Sequence, residues 1–482
     1  MKKVLFGLMV TCVSTAAFAQ AMAPTDKVAA IVETYVMSSD VDYVGKPTVV
    51  KNPQGFEVSV PAGVVKGSGR KNVAAFKFPL LADGKVNESP RYKLQLNKLS
   101  EIFPSLEGFV KEKKISYSGL SYIAKLVPAL GFMESQEVVV KNLKVPFDDA
   151  NSSLQVEQLR FWDSARLSST KNNSQENKFS LNNIKINHSV ATLTAQSFDF
   201  SVILPQVQKA KNPLMQLMNT PQVQQKMSLR GATLTSALAG GDSASFDLIQ
   251  DMLIKQDQKT FNADITFRLD VSNLRFSNPK QTTKDISVQV NMTGFTMDKS
   301  IVYSAALAKR NEILANTQSA NNQSVLQNIQ KEVDAAYADL TKDMVISIDE
   351  IAVRSTDYSV VVKGKIIAKD GSFDGTLQVT NFDLLAPEAK KIDEKACEAL
   401  VDKMLTGSIN SAQFKSQYET TCNDGSGPLT FLRSYANTAK RVRDINGKDA
   451  LSFDIRVNSD ELFINNQKVG ADVSSAAMGL VK

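Results

Sequence analysis

One pattern recurs along this chain and limits what it can build: apolar-x-apolar, two polar residues, apolar-x-apolar. Strict copies occur at Leu154, Val156, Leu159, Phe161; at Phe179, Leu181, Ile184, Ile186; at Leu269, Val271, Leu274, Phe276; at Val290, Met292, Phe295, Met297; and at Leu377, Val379, Phe382, Leu384, with looser copies from Val138 and Ile346. At 43% hydrophobic content chance would supply about two such matches, so five strict copies are suggestive. Period-2 alternation marks a strand with one buried and one wet face, and the one-residue slip in mid-pattern is what a β-bulge, or a strand passing from one sheet to another, produces. The expectation is an α+β, β-rich chain with a long curved antiparallel sheet and amphipathic helical insertions.

Longer alternating runs agree: Phe56, Val58, Val60; every second position from Ile265 to Val271 and from Ile286 to Met292; and Phe453, Ile455, Val457. Asp83-Gly84, Asp370-Gly371, Asp374-Gly375 and Asn446-Gly447 supply hairpin dipeptides that tolerate positive φ. Lys363 to Ala368 and Gly375 to Thr380 are expected to pair through Asp370-Gly371-Ser372. Helices are expected at Leu99 to Lys111, Ser121 to Leu130 and, less distinctly, Gln206 to Met218. Within Ile301 to Asp343, Leu326, Ile329, Val333, Tyr337 and Leu340 share one helical face, and the polar Thr317 to Ser324 predicts two helices folded back on each other. Pro387 to Met404 is expected to start a helix near its proline, with Gln413 to Thr421 and Leu429 to Val442 continuing helically.

The N-terminus has the form of a cleavable export signal: a basic Met1-Lys2-Lys3, an apolar Val4 to Val13, and Ala17-Phe18-Ala19 before Gln20. The organisation expected is a signal peptide at 1–19, a β-rich region at 20–205 with short helices, and a C-terminal β-rich region at 206–482 with helical insertions near 301–343 and 387–442. No later stretch is long and apolar enough to span a bilayer as a helix, so a processed chain is expected to lack a transmembrane helix and to reside in the periplasm or peripherally on the envelope. Cys12 follows Val10-Thr11, which is poor context for lipid attachment. A net charge of +6 over 482 residues is too mild to point to nucleic acid. Of the three cysteines, Cys397 and Cys422 would survive processing, and an oxidising compartment makes one structural disulfide between them the simplest reading, worth on the order of 3 kcal/mol.

With the element order in view, the latter half resembles the YdgA-like family of uncharacterised bacterial envelope proteins. The resemblance rests on Gln224-Gln225-Lys226-Met227-Ser228-Leu229 leading towards Phe267-Arg268-Leu269-Asp270-Val271-Ser272-Asn273-Leu274, on the helical insertion at Tyr303 to Asp343, and on Leu462-Phe463-Ile464-Asn465-Asn466-Gln467-Lys468 within the closing Leu451 to Val469. It spans roughly 224–469 and includes no catalytic signature. Asn466 stands where the family turn has glycine. A cleavable leader replaces the family's anchoring helix.

The sequence holds no complete catalytic pattern. His188 is the only imidazole available to a Ser-His-Asp mechanism, and Ile186-Asn187-His188-Ser189 places it at a strand end. Gly119-Leu120-Ser121-Tyr122-Ile123 lacks the second glycine of a nucleophile elbow. Gly67-Ser68-Gly69-Arg70-Lys71 lacks the ending of a P-loop and is better explained as a basic hairpin tip. Asp148-Asp149 and Asp349-Glu350 are adjacent carboxylates in alternating segments, so their side chains are expected to diverge. Trp162 is the single tryptophan that a carbohydrate platform would use. Asp370 and Asp374-Gly375 supply only part of a calcium loop. No catalytic, cofactor or metal residues are therefore assigned. The function expected is that of a non-catalytic exported envelope protein, its curved sheet binding a lipid-like apolar ligand or a protein partner as a scaffold. A carboxylate-dependent periplasmic hydrolase and a surface adhesin are the alternatives.

Overall fold

A computed structural model describes residues 24–66, 72–86, 88–147, 152–166, 174–204, 220–236, 243–257, 260, 262–276, 284–316, 323–382, 434–444, 446–458 and 461–469, with 398, 401 and 432. The segment 1–19 expected to be an export signal, Gly67 to Lys71, Asp148-Asp149, the helix expected at Gln206 to Met218, and both Cys397 and Cys422 lie outside these residues, as does most of 387–442; where that stretch is described, Lys440–Arg443 is strand and not the helix expected to run to Val442. The chain divides into two compact units, Met1–Leu253 and Ile254–Lys482.

The first unit opens with helix α1 (Pro24–Tyr35) and continues through β1 (Val41–Tyr43), β2 (Thr48–Asn52), β3 (Gly55–Val60), β4 (Gly63–Val65), β5 (Asn72–Val73), β6 (Phe76–Val86) and β7 (Ser89–Leu96). Two short helices follow, α2 (Leu99–Ile102) and α3 (Pro104–Glu112). Then come the long strands β8 (Gly119–Val127), β9 (Phe132–Pro146), β10 (Ser153–Arg166), β11 (Ser174–His188), β12 (Ala191–Leu204), β13 (Gln222–Ser236) and β14 (Ser243–Gln256). From β6 to β13 each strand pairs antiparallel with the next, and β2 and β3 extend the ladder at its start. β1, β4 and β5 form a separate three-stranded sheet. The chain is β-rich with few helices, and its strands form a long antiparallel sheet, as the strand grammar requires.

The helix expected at Ser121 to Leu130 does not form. Residues 119–127 are strand β8, and only Pro128–Leu130 turns, as a single 3-10 turn. Tyr122, Ala124 and Leu126 are all buried on one face, so the period there is 2 and the flanking proline ends a strand. The helix expected at Leu99 to Lys111 is present as α2 and α3, separated by Phe103.

In the second unit β15 (Asn262–Phe276), β16 (Lys284–Thr296), β17 (Val345–Ser355), β18 (Ser359–Ile367) and β19 (Ser372–Thr380) follow in antiparallel order. β21 (Asp449–Asn458) then pairs with β19 on one side, and with β20 (Lys440–Arg443) and β22 (Glu461–Ile464) on the other. β23 (Gln467–Lys468) closes the set against β22, with Asn465 and Asn466 both at positive φ in the turn. Asparagine tolerates that conformation better than other residues with a Cβ, so Asn466 fills the place of a turn glycine. Between β16 and β17 stand α4 (Met297–Asn316) and α5 (Gln323–Thr341). They are antiparallel: Lys299 bonds Asp339, Tyr303 packs on Tyr337, and Lys309 bonds Glu332. Ile329, Val333 and Leu340 of α5 are buried while Tyr337 is exposed.

The expected β18–β19 hairpin forms, with Gly371 at φ 67° and Asp370 accepting from the Ser372 N–H at 2.9 Å. Asn446-Gly447 likewise turns β20 into β21. Two other dipeptides do not make turns. Asp83-Gly84 is a bulge within β6, between Ala82 and Lys85, and the chain reverses at Val86 and Ser89. Asp374-Gly375 lies inside β19, where Gly375 faces Gly364 and the Phe373 ring fills the space a side chain would need.

At six places the slip in the strand grammar coincides with one backbone feature, which the copy at Leu154 to Phe161 lacks. Asn142, Asn183, Gly231, Asn273, Gly294 and Asn381 all have φ between 49° and 73°, and each is the second polar or small residue between the two apolar pairs. One left-handed residue resets which face the following side chains take, and Gly and Asn are the residues that adopt it at least cost. In the first unit these residues fall on β9, β11 and β13, while β10 and β12 have none. Neighbours secure several of them. Asn183 Nδ2 donates to Glu157, the Gly231 N–H donates to Asp247 Oδ1 at 2.6 Å, and the Asn273 N–H donates to Asp285 Oδ1 at 3.1 Å.

Candidate functional site

The copies of the grammar at Leu154 to Phe161 and Phe179 to Ile186 prove to be partners: Leu154 faces Ile186, Val156 faces Ile184, Leu159 faces Leu181 and Phe161 faces Phe179. Extended across the ladder, this register builds one continuous apolar row, Leu96, Tyr122, Val138, Phe161, Phe179, Phe200 and Met227, over β7 to β13. A second row on the same face holds Leu120, Val140, Leu159, Leu181, Phe198 and Leu229.

Burial changes along the first row. Leu96, Tyr122 and Val138 are 4%, 5% and 4% exposed, within a core that α1 closes with Val28, Ile31 and Val32. From Phe161 onward every member is only half-buried. Among the described residues the first helix reaches β9, and no helix makes more than marginal contact with β10 to β13. There the fully buried cluster shrinks to Ile184, Ala195 and Ala232, with Leu181, Phe198 and Leu229 around it. This bare apolar face is the candidate site.

The opposite face of the same strands is polar. Trp162, Lys178, Ser201 and Lys226 form one row, and Arg160, Ser180, Asp199 and Ser228 the next. Trp162, singled out as a lone aromatic platform, therefore faces away from the apolar rows, with Lys178 Nζ 5.2 Å from its ring centre.

The carboxylates Asp349 and Glu350 are not splayed apart as expected. A register shift in β17 sets Ile348 opposite Val290 and Glu350 opposite Gln289, leaving Asp349 extra. Asp349 accepts from Gln289 and Asn291, and Glu350 from Ser287 Oγ at 2.7 Å. Those three partners are alternate residues of β16, so both carboxylates face the same side; a bulge does this where a regular strand cannot. Arg354 Nη2 sits 2.7 Å from Glu350 and its Nη1 donates to Ser287. Burial pushes the Glu350 carboxyl up, but hydrogen bonds from Ser287 and Arg354 and the charges of Arg354 and Lys363 outweigh it and hold it below the usual carboxylate range. A group held ionised in this way is a poor proton donor.

His188 sits at the end of β11 in an exposed turn, its Nδ1 3.4 Å from the Val190 N–H. Ser121 lies inside strand β8, without the strand-to-helix turn of a nucleophile elbow. Among the described residues no group of three or more His, Cys, Asp or Glu side chains could hold a metal ion, and no helix is long and apolar enough to cross a membrane. The sequence pattern disclosed the apolar strands. The continuity of the rows, and the place where their cover stops, needed the register. No family model, curated protein or solved structure matches this chain.

Proposed function

We propose that this chain is a non-catalytic, exported envelope protein, YdgA-like in its latter half, whose sheet curves at the left-handed positions and holds a lipid-like apolar ligand on the bare face of β10 to β13. One observation carries the reading: a single apolar row runs unbroken from a helix-covered core to strands where nothing described covers it. An extended apolar surface of this kind calls for an occupant, and full burial of each large side chain is worth roughly 1.5–3 kcal/mol. The disulfide between Cys397 and Cys422 belongs to the same proposal as the mark of an oxidising compartment.

The test is lipid extraction and mass spectrometry of full-length protein purified from cells without detergent. A stoichiometric lipid is expected, and it should be lost from Leu181→Asp or Phe198→Asp. An extract empty of lipid from the unsubstituted protein would transfer the reading to a scaffold that meets a protein partner on this face.

A further inference from the structure

The polar face of β10 to β13, with β14, bounds a cleft of about 730 Å³. Its lining combines the two polar rows with Phe179, Phe200 and Met227 of the first apolar row and with Ile249 and Asp251 of β14. Its floor mixes serine hydroxyls with apolar groups. Ser180 and Ser201 lie inside the two rows, and Ser228 follows Asp199 at the end of the second.

The walls differ in how they are neutralised. On one side Arg160 Nε is 2.5 Å from Glu137, and Lys178 Nζ is 2.7 Å from Glu176. On the other side Lys226 and Arg230 are exposed, four residues apart on β13 and hence on the same face until the left-handed Gly231. Among the described residues, neither has a carboxylate within salt-bridge distance, and Asp199 between the walls has no cation within that distance. The cleft thus offers two cationic groups at one end, two carboxylates, Asp199 and Asp251, three hydroxyls along its floor, and an indole at the other end.

A simple anion would use only the first of these and would be repelled by Asp199. A neutral sugar would leave Lys226 and Arg230 unmatched. A ligand that satisfies all three carries a phosphate or carboxylate for the two cations, ring hydroxyls that donate to Asp199 and exchange hydrogen bonds with the serines, and a ring that packs beside the indole of Trp162, over which Lys178 already lies. We propose that this cleft is a binding site for an anionic saccharide, free or as the headgroup of a lipid.

Trp162 is the only tryptophan in the chain, so its fluorescence reports the cleft directly. Full-length protein titrated with glucose 6-phosphate and with glucuronate should give a saturable change with at least one of them, and glucose or inorganic phosphate alone should bind on the order of tenfold more weakly. Phosphatidylcholine vesicles doped with phosphatidylinositol phosphate test the headgroup source. Binding to vesicles alone assigns the ligand to the membrane, and binding to the soluble probes assigns it to a free sugar. Lys226→Ala with Arg230→Ala, and separately Asp199→Ala, should each weaken binding by about tenfold or more. These side chains are exposed, so folding should survive, and circular dichroism checks that it does. Equilibrium dialysis with labelled probes serves as a readout that does not rely on the indole. The proposal is overturned if dialysis finds no binding in any arm, if inorganic phosphate binds as tightly as the sugar phosphate, or if the double variant binds unchanged.

Discussion

The β6 to β9 part of the first unit and its β10 to β13 part share a sheet, an apolar row and a strand grammar, and they differ in what lies on top. In the first, Leu80 and Leu94 have no exposed surface and α1 seals the face. In the second, side chains as large as Phe179 and Phe200 stay half-buried. Strand sequence therefore determines which face is apolar, and the cover determines whether that face becomes a core.

The largest expected effect lies in the covered part. Leu94→Ala should cost about 2–5 kcal/mol, as deletion of fully packed core groups does, measured by denaturant unfolding. If Leu94→Ala costs no more than the same change at a bare position, the covered region is not the core it is taken to be. Next comes the backbone between the two apolar pairs. Gly231→Ala forces a Cβ into a left-handed conformation, with the Gln196 side chain only 2.7 Å from where that Cβ would sit, and should cost about 1–2 kcal/mol. Asn183→Gly should be close to neutral in stability, because glycine adopts the same conformation freely. A large loss there would mean that the Asn183 to Glu157 bond matters more than the backbone.

Smaller still is Leu181→Ala on the bare face. With no tight packing to leave a cavity, it should destabilise by about 1 kcal/mol or less in ligand-free protein, and the gap from Leu94→Ala should narrow once the proposed ligand is bound. The smallest effect is electrostatic. Glu350 has a folded-state pKa below its unfolded value, so its contribution is present above the unfolded value and lost as pH falls through the folded one. Glu350→Gln should therefore flatten the stability curve below about pH 4 and lower stability slightly near neutrality. Chemical unfolding at a series of pH values would show a parallel curve instead if the carboxylate were not involved.

Much of this fold was legible in the sequence because alternation is a local signal. The grammar located the strands at Leu154 and Phe179, the phase slip was visible as a missing beat, and the fold-back of α4 on α5 followed from one apolar stripe and a polar break. What escaped depended on neighbours. Tyr122, Ala124 and Leu126 alternate, but the run into Pro128 also fits the end of a short helix. Asp83-Gly84 and Asp374-Gly375 have turn chemistry, yet a bulge and a cross-strand glycine pair use the same residues. The bulge that turns Asp349 and Glu350 to one side leaves no mark on a two-residue window. The polar cleft was least accessible of all, since Trp162, Lys178, Ser201 and Lys226 meet only through the pairing of four strands.

The alternation of left-handed residues, present on β9, β11 and β13 and absent from β10 and β12, carries a lesson about growth. Over these five strands the repeating module is the hairpin, one strand with a left-handed residue and one without. Adding or deleting a single strand would reverse the direction of everything downstream. Natural variation in the length of this sheet should therefore come in steps of two strands, each step widening both the greasy surface and the hydrophilic one behind it.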